Sequence, residues 1–167
     1  MTDVQEFPRH LIRTGTQWVQ EDWIDYNGHM NVAFYTQAFD RAIDEIFDDW
    51  LGIGEEQART LRMGPMALQS QIHYLAELKL GETFACDFQL LDADTKRIHF
   101  FATMINLETG TEAATYESLS MNVDLEARRS APYPAGAQSR VTALKEAHAG
   151  LPVPARVGAK IGIRRQG

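Results

Sequence analysis

The stretch DWIDYNGHMNVAFYTQAFDRAIDEIFDDWLGIG, residues 22–54, decides the fold. It opens with an Asn27-Gly28 turn, after which apolar residues recur at spacings of three and four from Phe34 to Leu51, with acidic residues between them. This pattern is typical of an amphipathic helix, and Asn31 stands where an N-cap belongs. The stretch predicts a helix of about 20 residues that ends at the closing glycine pair, and its aromatic stripe needs a broad apolar partner such as a sheet.

Strand patterns surround this helix. Upstream, TQWVQE predicts one short strand, and downstream four patterns separated by short turns predict an antiparallel meander: MALQSQIHYLA, FACDFQLL, IHFFATMIN and AATYESLSMNVDL. In the first of the four, Met66, Leu68, Ile72 and Tyr74 are expected to form the buried face. A modest helix over 135–148 follows. The order predicts an α+β fold in which an antiparallel sheet wraps around one long helix.

Composition fits a single globular domain. The chain has 167 residues, 44% hydrophobic and 23% charged, and no apolar run reaches the roughly 18 residues of a membrane span. The first residues lack the layout of a secretory signal, and the only cysteine, Cys86, excludes an internal disulfide. We therefore expect a cytoplasmic protein with one domain over residues 1–150 and a basic tail over 151–167.

Charge is unevenly distributed along the chain. The net charge of −7 argues against a nucleic-acid partner. Residues 1–127 hold eight Lys and Arg against 22 Asp and Glu, whereas residues 128–167 hold eight against one. Two explanations stay open, and both can hold: the basic end folds back onto the acidic body, or it forms a local site for an anionic ligand such as a phosphorylated cofactor.

Asp25 is the best candidate for chemistry. It precedes the turn that leads into the helix, so its carboxylate can face the free backbone N–H groups of residues 31–34 at the positive pole of the helix. Such donors suit a developing oxyanion. The alternative is that Asp25 only stabilises the turn or the cap. The sequence has no phosphate-binding glycine motif, and its histidines lack metal-ligand spacing.

The motif D-x-x-G-H-x-N-x-x-x-Y, formed by Asp25, Gly28, His29, Asn31 and Tyr35, resembles the hotdog-fold acyl-CoA thioesterases related to 4-hydroxybenzoyl-CoA thioesterase. The stretches WIDYNGHM, HYLAELKLGE, DTKRIHFF, MNVDLEARRSAPYP and LPVPARVGAKIG are similar to betainyl-CoA thioesterases of carnitine degradation. The resemblance implies a hotdog fold, hydrolysis of a small acyl-CoA such as betainyl-CoA, at least a homodimer, and no cofactor other than the coenzyme A of the substrate.

The resemblance also implies roles for the motif residues. In the family, the acid three residues before the glycine acts as nucleophile or base, and a first-turn N–H seven residues later polarises the carbonyl; here these are Asp25 and Val32. His29 and Asn31 would orient the acid or the substrate. Both can instead be structural residues of the loop.

For the acyl group, Trp23 and Tyr26 flank Asp25 and could stack on a quaternary ammonium, or else pack in the core or a dimer interface. Tyr35 is assigned to the substrate pocket as the last residue of the motif. Glu117 matches an acid of the betainyl-type sequences and faces either the cation or solvent. Asp40 is a second acid if it points inward, although its acidic surroundings favour a solvated face.

For coenzyme A, Arg128 and Arg129 follow the last strand, where the resembled enzymes often carry basic residues for the nucleotide phosphates. Lys79 and Arg97, at strand ends, are weaker candidates. Two other functions stay open at this point. One is a hotdog hydratase or dehydratase that uses His29 with an acid, and the other is a non-catalytic acyl-CoA-binding module.

Overall fold

The computed structural model describes residues 6–163 and residue 165. The strands are β1 Ile12–Arg13, β2 Gln17–Trp18, β3 Met63–Tyr74, β4 Thr83–Ala93, β5 Arg97–Asn106, β6 Glu112–Asp124 and β7 Arg129–Ser130, and the helices are α1 Val32–Ile46, α2 Glu55–Leu61 and α3 Ala135–His148. A 3-10 turn spans Glu21–Trp23, and a π-helical turn, Phe47–Leu51, continues α1. Among the described residues, no helix combines the length and apolar character needed to cross a membrane.

All strand pairs of the sheet are antiparallel, in the order β1-β4-β5-β6-β3. The two short strands β2 and β7 pair with β4 and β6. The four predicted strands are confirmed, as are the upstream strand, which is only two residues long, and the helix over 135–148. Only β4, β5 and β6 form a meander, however, because β3 pairs with β6 and not with β4. The elements α2, β1 and β7 were not predicted because each is too short to show a period.

The inner face of the sheet, which we define as the face that packs on α1, contains the core. Phe88 and Phe100 are fully buried there, and Tyr116 of β6 stacks on Phe39 of α1 with ring centroids 5.2 Å apart. The helix begins as predicted, since the Ala33 N–H donates to the Asn31 side chain at 3.0 Å. With its π turn it ends at a left-handed glycine, so the predicted extent is confirmed.

Strand β3 differs from the prediction. It forms the edge of the sheet, and a β-bulge between Ala67 and Gln69 shifts its register. The bulge reverses the alternation of side chains, so Met66 and Tyr74 lie on opposite faces. Met66, Leu68 and Tyr74 are 40 to 51% exposed. The prediction of one half-buried face is therefore wrong. The alternation of residue types in the sequence reveals neither an inserted residue nor the position of a strand at the edge of the sheet.

The outer face of the sheet, opposite α1, is covered by residues 151–163, which we call the strap and which cross the strands. Helix α3, which precedes the strap, packs against β4 and the π turn after α1, and its Val141 and Leu144 belong to the core. The Gln89 side chain donates to the Pro152 carbonyl at 3.3 Å, and the Gly158 N–H donates to Glu117 Oε2 at 2.8 Å. Ion pairs from Lys145 and Arg156 to acidic residues of β4 and β6 support the explanation that the basic end folds onto the acidic body.

Candidate active site

The Asp25 loop is a closed turn in front of α1. The Asp25 N–H donates to the His29 carbonyl at 3.1 Å, and the Gly28 N–H donates to the Asp25 carbonyl at 3.0 Å. Gly28 has a φ of 80°, a conformation that favours glycine. Asp25 Oδ1 accepts the Asn27 N–H at 2.8 Å, so one carboxylate oxygen stabilises the turn, as the structural alternative expects.

The other carboxylate oxygen faces the start of the helix. Asn31 Nδ2 donates to Asp25 Oδ2 at 3.3 Å, while Asn31 Oδ1 accepts the Ala33 N–H. One amide side chain therefore caps α1 and holds the carboxylate against it. Asp25 is half-buried, so Oδ2 stays within reach of a ligand.

The first turn of α1 leaves one amide free. The Asn31 N–H donates to the Trp23 carbonyl, Ala33 donates to the Asn31 side chain, and Phe34 donates to the Asn31 carbonyl. Within the described part of the chain, the Val32 N–H has no acceptor. This donor lies at the positive end of the helix dipole, one residue from the group that holds Asp25. The site thus pairs a carboxylate with a donor suited to an oxyanion.

Two other motif residues have structural contacts. His29 is half-buried, and its Nδ1 lies 3.2 Å from the Met30 carbonyl oxygen. Tyr35 anchors the loop between β3 and β4, because its hydroxyl donates to the Ala76 carbonyl at 3.4 Å and accepts the Leu78 N–H at 3.2 Å. Burial raises the pKa of Tyr35. Tyr35 therefore positions the loop, and its hydroxyl is engaged within the chain.

The aromatic residues beside Asp25 do not form a cation pocket. Trp23 is 2% exposed, Phe34 stacks on it at 5.4 Å, and the Arg41 guanidinium lies 5.5 Å from its ring centroid. Tyr26 is 96% exposed. The prediction that Trp23 stacks on a substrate cation conflicts with this placement, because the ring is already covered by Phe34 and Arg41. The 3-10 turn directs Trp23 into the core, and the tight turn after Asp25 directs Tyr26 to solvent.

Glu117 lies on the outer face, away from the Asp25 loop. Its Oε1 lies 2.8 Å from His99 Nε2, and its Oε2 accepts the Gly158 N–H. The side chain is only 15% exposed. The structure therefore brings Glu117 together with the strap and not with Asp25 of the same chain.

The predicted coenzyme A residues fall into two groups. Lys79 follows Leu78, whose carbonyl accepts the Met30 N–H, so Lys79 lies at the Asp25 end of the sheet. Arg97, Arg128 and Arg129 lie at the opposite end, where β6 finishes. The 13 residues of β6 span about 40 Å. These arginines and Asp25 cannot meet one substrate within a single chain.

A small cavity between α1 and the sheet was missed from the sequence. Its volume is about 100 Å³, and Asp40, Asp44, Phe100 and Tyr116 are among the residues that line it. Burial, together with Asp40 and other nearby carboxylates, raises the pKa of Asp44. Asp40 and Asp44 are exposed, so the solvated face expected of this acidic run is confirmed for both, although they also line the cavity. Their spacing by four residues was the available signal for the cavity. No group of three metal-ligating side chains occurs in the described residues.

Comparison with known proteins agrees with this geometry. Residues 19–141 match the model of the thioesterase-like superfamily. The betainyl-CoA thioesterase of Pseudomonas aeruginosa is 34% identical over 145 residues, which cover 87% of this chain and 91% of that protein. The L-carnitine dehydrogenase/betainyl-CoA thioesterase of Rhizobium meliloti is 34% identical over 148 residues, 88% of this chain, but this chain spans only 29% of its length.

A solved structure extends the likeness to the whole fold. A Staphylococcus aureus protein in complex with CoA superposes with a TM-score of 0.83 at 28% identity, covering 95% of this chain and 98% of that one. The superposition and the family match cover the sheet, α1 and the Asp25 loop together. The chain therefore belongs to the thioesterase-like superfamily, and its sheet wrapped around α1 is the hotdog fold.

Proposed function

We propose that this chain hydrolyses an acyl-CoA thioester to the free acid and CoA. The observation that carries the proposal is the Asp25 carboxylate beside the free Val32 N–H. Asp25 attacks the thioester carbonyl, or deprotonates a water that does so, while the Val32 N–H stabilises the oxyanion. Collapse of the tetrahedral intermediate breaks the C–S bond and expels the CoA thiolate, which takes up a proton. If Asp25 is the nucleophile, this step leaves an acyl–Asp25 anhydride, and water then hydrolyses it to release the acid and restore the carboxylate. Water supplies the oxygen of the acid, and no cofactor is needed.

We also propose a homodimer with shared sites, and the edge strand β3 supports it. β3 is 12 residues long and carries exposed apolar side chains along an unpaired edge. Antiparallel pairing with β3 of a second copy would place the Met63 end of one strand beside the Tyr74 end of the other. The Asp25 loop of one copy would then lie near Arg128 and Arg129 of the other. Light scattering should give about twice 18.8 kDa; an active monomer would contradict the shared site.

We propose betainyl-CoA as the substrate, in a cytoplasmic enzyme of carnitine degradation, on the strength of the P. aeruginosa and R. meliloti relatives. The cavity with Asp40, Asp44, Phe100 and Tyr116 supports this choice, because aromatic rings and carboxylates suit a quaternary ammonium. Asp40 lies about 12 Å along α1 from Val32, too far for a small acyl group in one chain. In the proposed dimer, the cavity of the second copy is therefore the better candidate for the pocket that binds the ammonium group.

Thiol release from two acyl-CoA substrates tests reaction and substrate together. Betainyl-CoA and its uncharged isostere 3,3-dimethylbutanoyl-CoA have the same shape, so only the charge differs. We expect kcat/KM to favour betainyl-CoA by about tenfold, equivalent to about 1.4 kcal/mol. Asp40→Asn should reduce this preference, whereas Asp49→Asn, on the exposed side of the π turn, should not.

The other possible outcomes would change either the proposed substrate or the proposed function. Equal rates would keep the thioesterase and discard the cationic substrate. Loss of enoyl-CoA absorbance without thiol release would identify a hydratase. Thermal stabilisation by CoA without turnover of any acyl-CoA would identify a binding module.

A further inference from the structure

The strap has fixed attachment points on the outer face. It starts beside Gln89, turns at Gly158, whose φ is 67°, and is held there by Glu117. Glu117 in turn contacts His99 at 2.8 Å. The strap is therefore placed by buried and half-buried polar groups of three strands, and the side chains that follow Gly158 reach the edge strand β3.

A groove separates the strap from β3. It has a volume of about 520 Å³, within the range of small-molecule sites. Gln71, Ile72 and His73 line it from β3, and Arg156 and Lys160 line it from the strap. A second groove of about 630 Å³ adjoins it and shares Gln71 and Lys160.

The two strap cations are available to a ligand. Arg156 contacts Glu112 only at 3.9 Å, and within the described residues Lys160 forms no ion pair. Both residues are exposed. Arg97 and Lys145, by contrast, bind carboxylates at 2.6 Å. In a protein with a net charge of −7, capture of a polyanion depends on such a local cluster.

The groove lies at the Asp25 end of the sheet. His73 is followed by Tyr74, whose ring packs 5.3 Å from Tyr35 in the first turns of α1. Arg156 faces Glu112, the first residue of β6. Unlike Arg128 and Arg129, the strap cations therefore share an end of the molecule with the Asp25 loop of the same chain.

We propose that Arg156 and Lys160 bind the phosphate groups of the coenzyme A portion of the substrate in this groove. The proposal rests on the proposed thioesterase function for the nature of the ligand. Guanidinium and ammonium groups supply charge-assisted hydrogen bonds to phosphate oxygens, and His73 and Gln71 add polar contacts from β3. Glu117 acts as a positioning residue, because it accepts the Gly158 N–H and so fixes the part of the strap that carries Arg156 and Lys160.

Binding of free CoA, measured by calorimetry, tests the groove independently of turnover. Arg156→Ala/Lys160→Ala should weaken CoA binding about tenfold, and the charge-preserving Arg156→Lys/Lys160→Arg variant should retain most of it. Arg59→Ala/Arg140→Ala is the matched control, because it removes two exposed arginines that do not line the groove. Unchanged CoA affinity in the strap variant would overturn the proposal, whether or not the protein hydrolyses thioesters.

Kinetics with two thioesters give the second test. With betainyl-CoA, the strap variant should show a KM raised about tenfold and a kcat close to normal. With the betainyl thioester of N-acetylcysteamine, which has no phosphate, it should match the unaltered protein. Equal losses on both substrates would show a general disturbance of the site and contradict the assignment. Absence of thiol release from the unaltered protein would refute the thioesterase and leave the calorimetry to decide the groove.

Discussion

The inner and outer faces of the sheet are held by different forces. On the inner face, Phe88 and Phe100 lie 5.3 Å apart under α1 and have no polar atoms to satisfy. On the outer face, Gln89, Glu117 and His99 hold the strap through individual hydrogen bonds. Burial of a large apolar side chain contributes about 1.5 to 3 kcal/mol to stability, whereas a single hydrogen bond contributes about 1 kcal/mol. Contacts on the inner face should therefore contribute most of the free energy of unfolding, and contacts on the outer face should contribute less.

The largest expected effect compares neighbouring residues of β4 that face opposite ways. Phe88→Ala should lower the free energy of unfolding by about 3 to 5 kcal/mol, because it leaves a cavity under α1. Gln89→Ala should lower it by only about 1 kcal/mol, for the lost bond to Pro152. Denaturant unfolding measures both. Similar losses would mean that the two faces are not held differently.

The catalytic rate constant, kcat, should depend on the Asp25 loop at the start of α1. Asp25→Asn should reduce kcat about a hundredfold, because the amide neither attacks nor accepts a proton, and unfolding should be little changed. Asp22→Asn, an exposed acid three residues earlier, is the control. Near-normal turnover by a folded Asp25→Asn variant would remove Asp25 from the chemistry.

Asn31 is expected to affect both stability and catalysis, and two substitutions distinguish the two effects. Asn31→Ala should cost about 1 kcal/mol of stability through the lost cap, and about tenfold in kcat through the lost bond to Asp25. Asn31→Ser keeps a capping oxygen but cannot donate to Asp25 in the same way. It should therefore preserve stability and lose rate. If serine restores both, the contact with Asp25 has no catalytic effect.

The smallest expected effect is the dependence of stability on pH, through His148. His148 Nδ1 accepts the Leu90 N–H at 3.0 Å, and Nε2 donates to the His10 carbonyl at 3.1 Å, so the folded protein needs the neutral ring. Burial lowers the pKa of His148 below its unfolded value, so the unfolded chain binds the proton first. Stability should fall by about 1 kcal/mol as pH drops from about 6.5 through the folded pKa. His148→Gln should flatten this slope in unfolding curves; an unchanged slope would assign it to other groups.

The inner face could be predicted from the sequence because alternation reports burial directly. In FACDFQLL, the period of two predicts Phe84, Cys86, Phe88 and Leu90 on one face of β4, and all four are buried. The same logic failed for β3, where one inserted residue reverses the alternation. Cover of the outer face by the strap depends on contacts between residues far apart in the chain, which no local pattern records.

The candidate site was predictable only where chain proximity and spatial proximity coincide. Asp25, Asn31 and Val32 belong to one turn and one helix start, so their meeting follows from local geometry. Trp23 is equally close in sequence, yet its ring points into the core. The distance of Arg128 from Asp25 depends on the direction of β6, which only the assembled sheet reveals.

The bulge at Leu68 bears on how this protein avoids aggregation. A regular exposed edge of 12 residues would accept strands from many other chains and could grow without limit. The irregularity between Ala67 and Gln69 twists the edge, so that a pairing chain must carry a matching irregularity in antiparallel register. In the proposed dimer, a second copy would meet that requirement, and each copy would cover the β3 edge of the other. The inserted residue would then limit self-assembly to a closed pair.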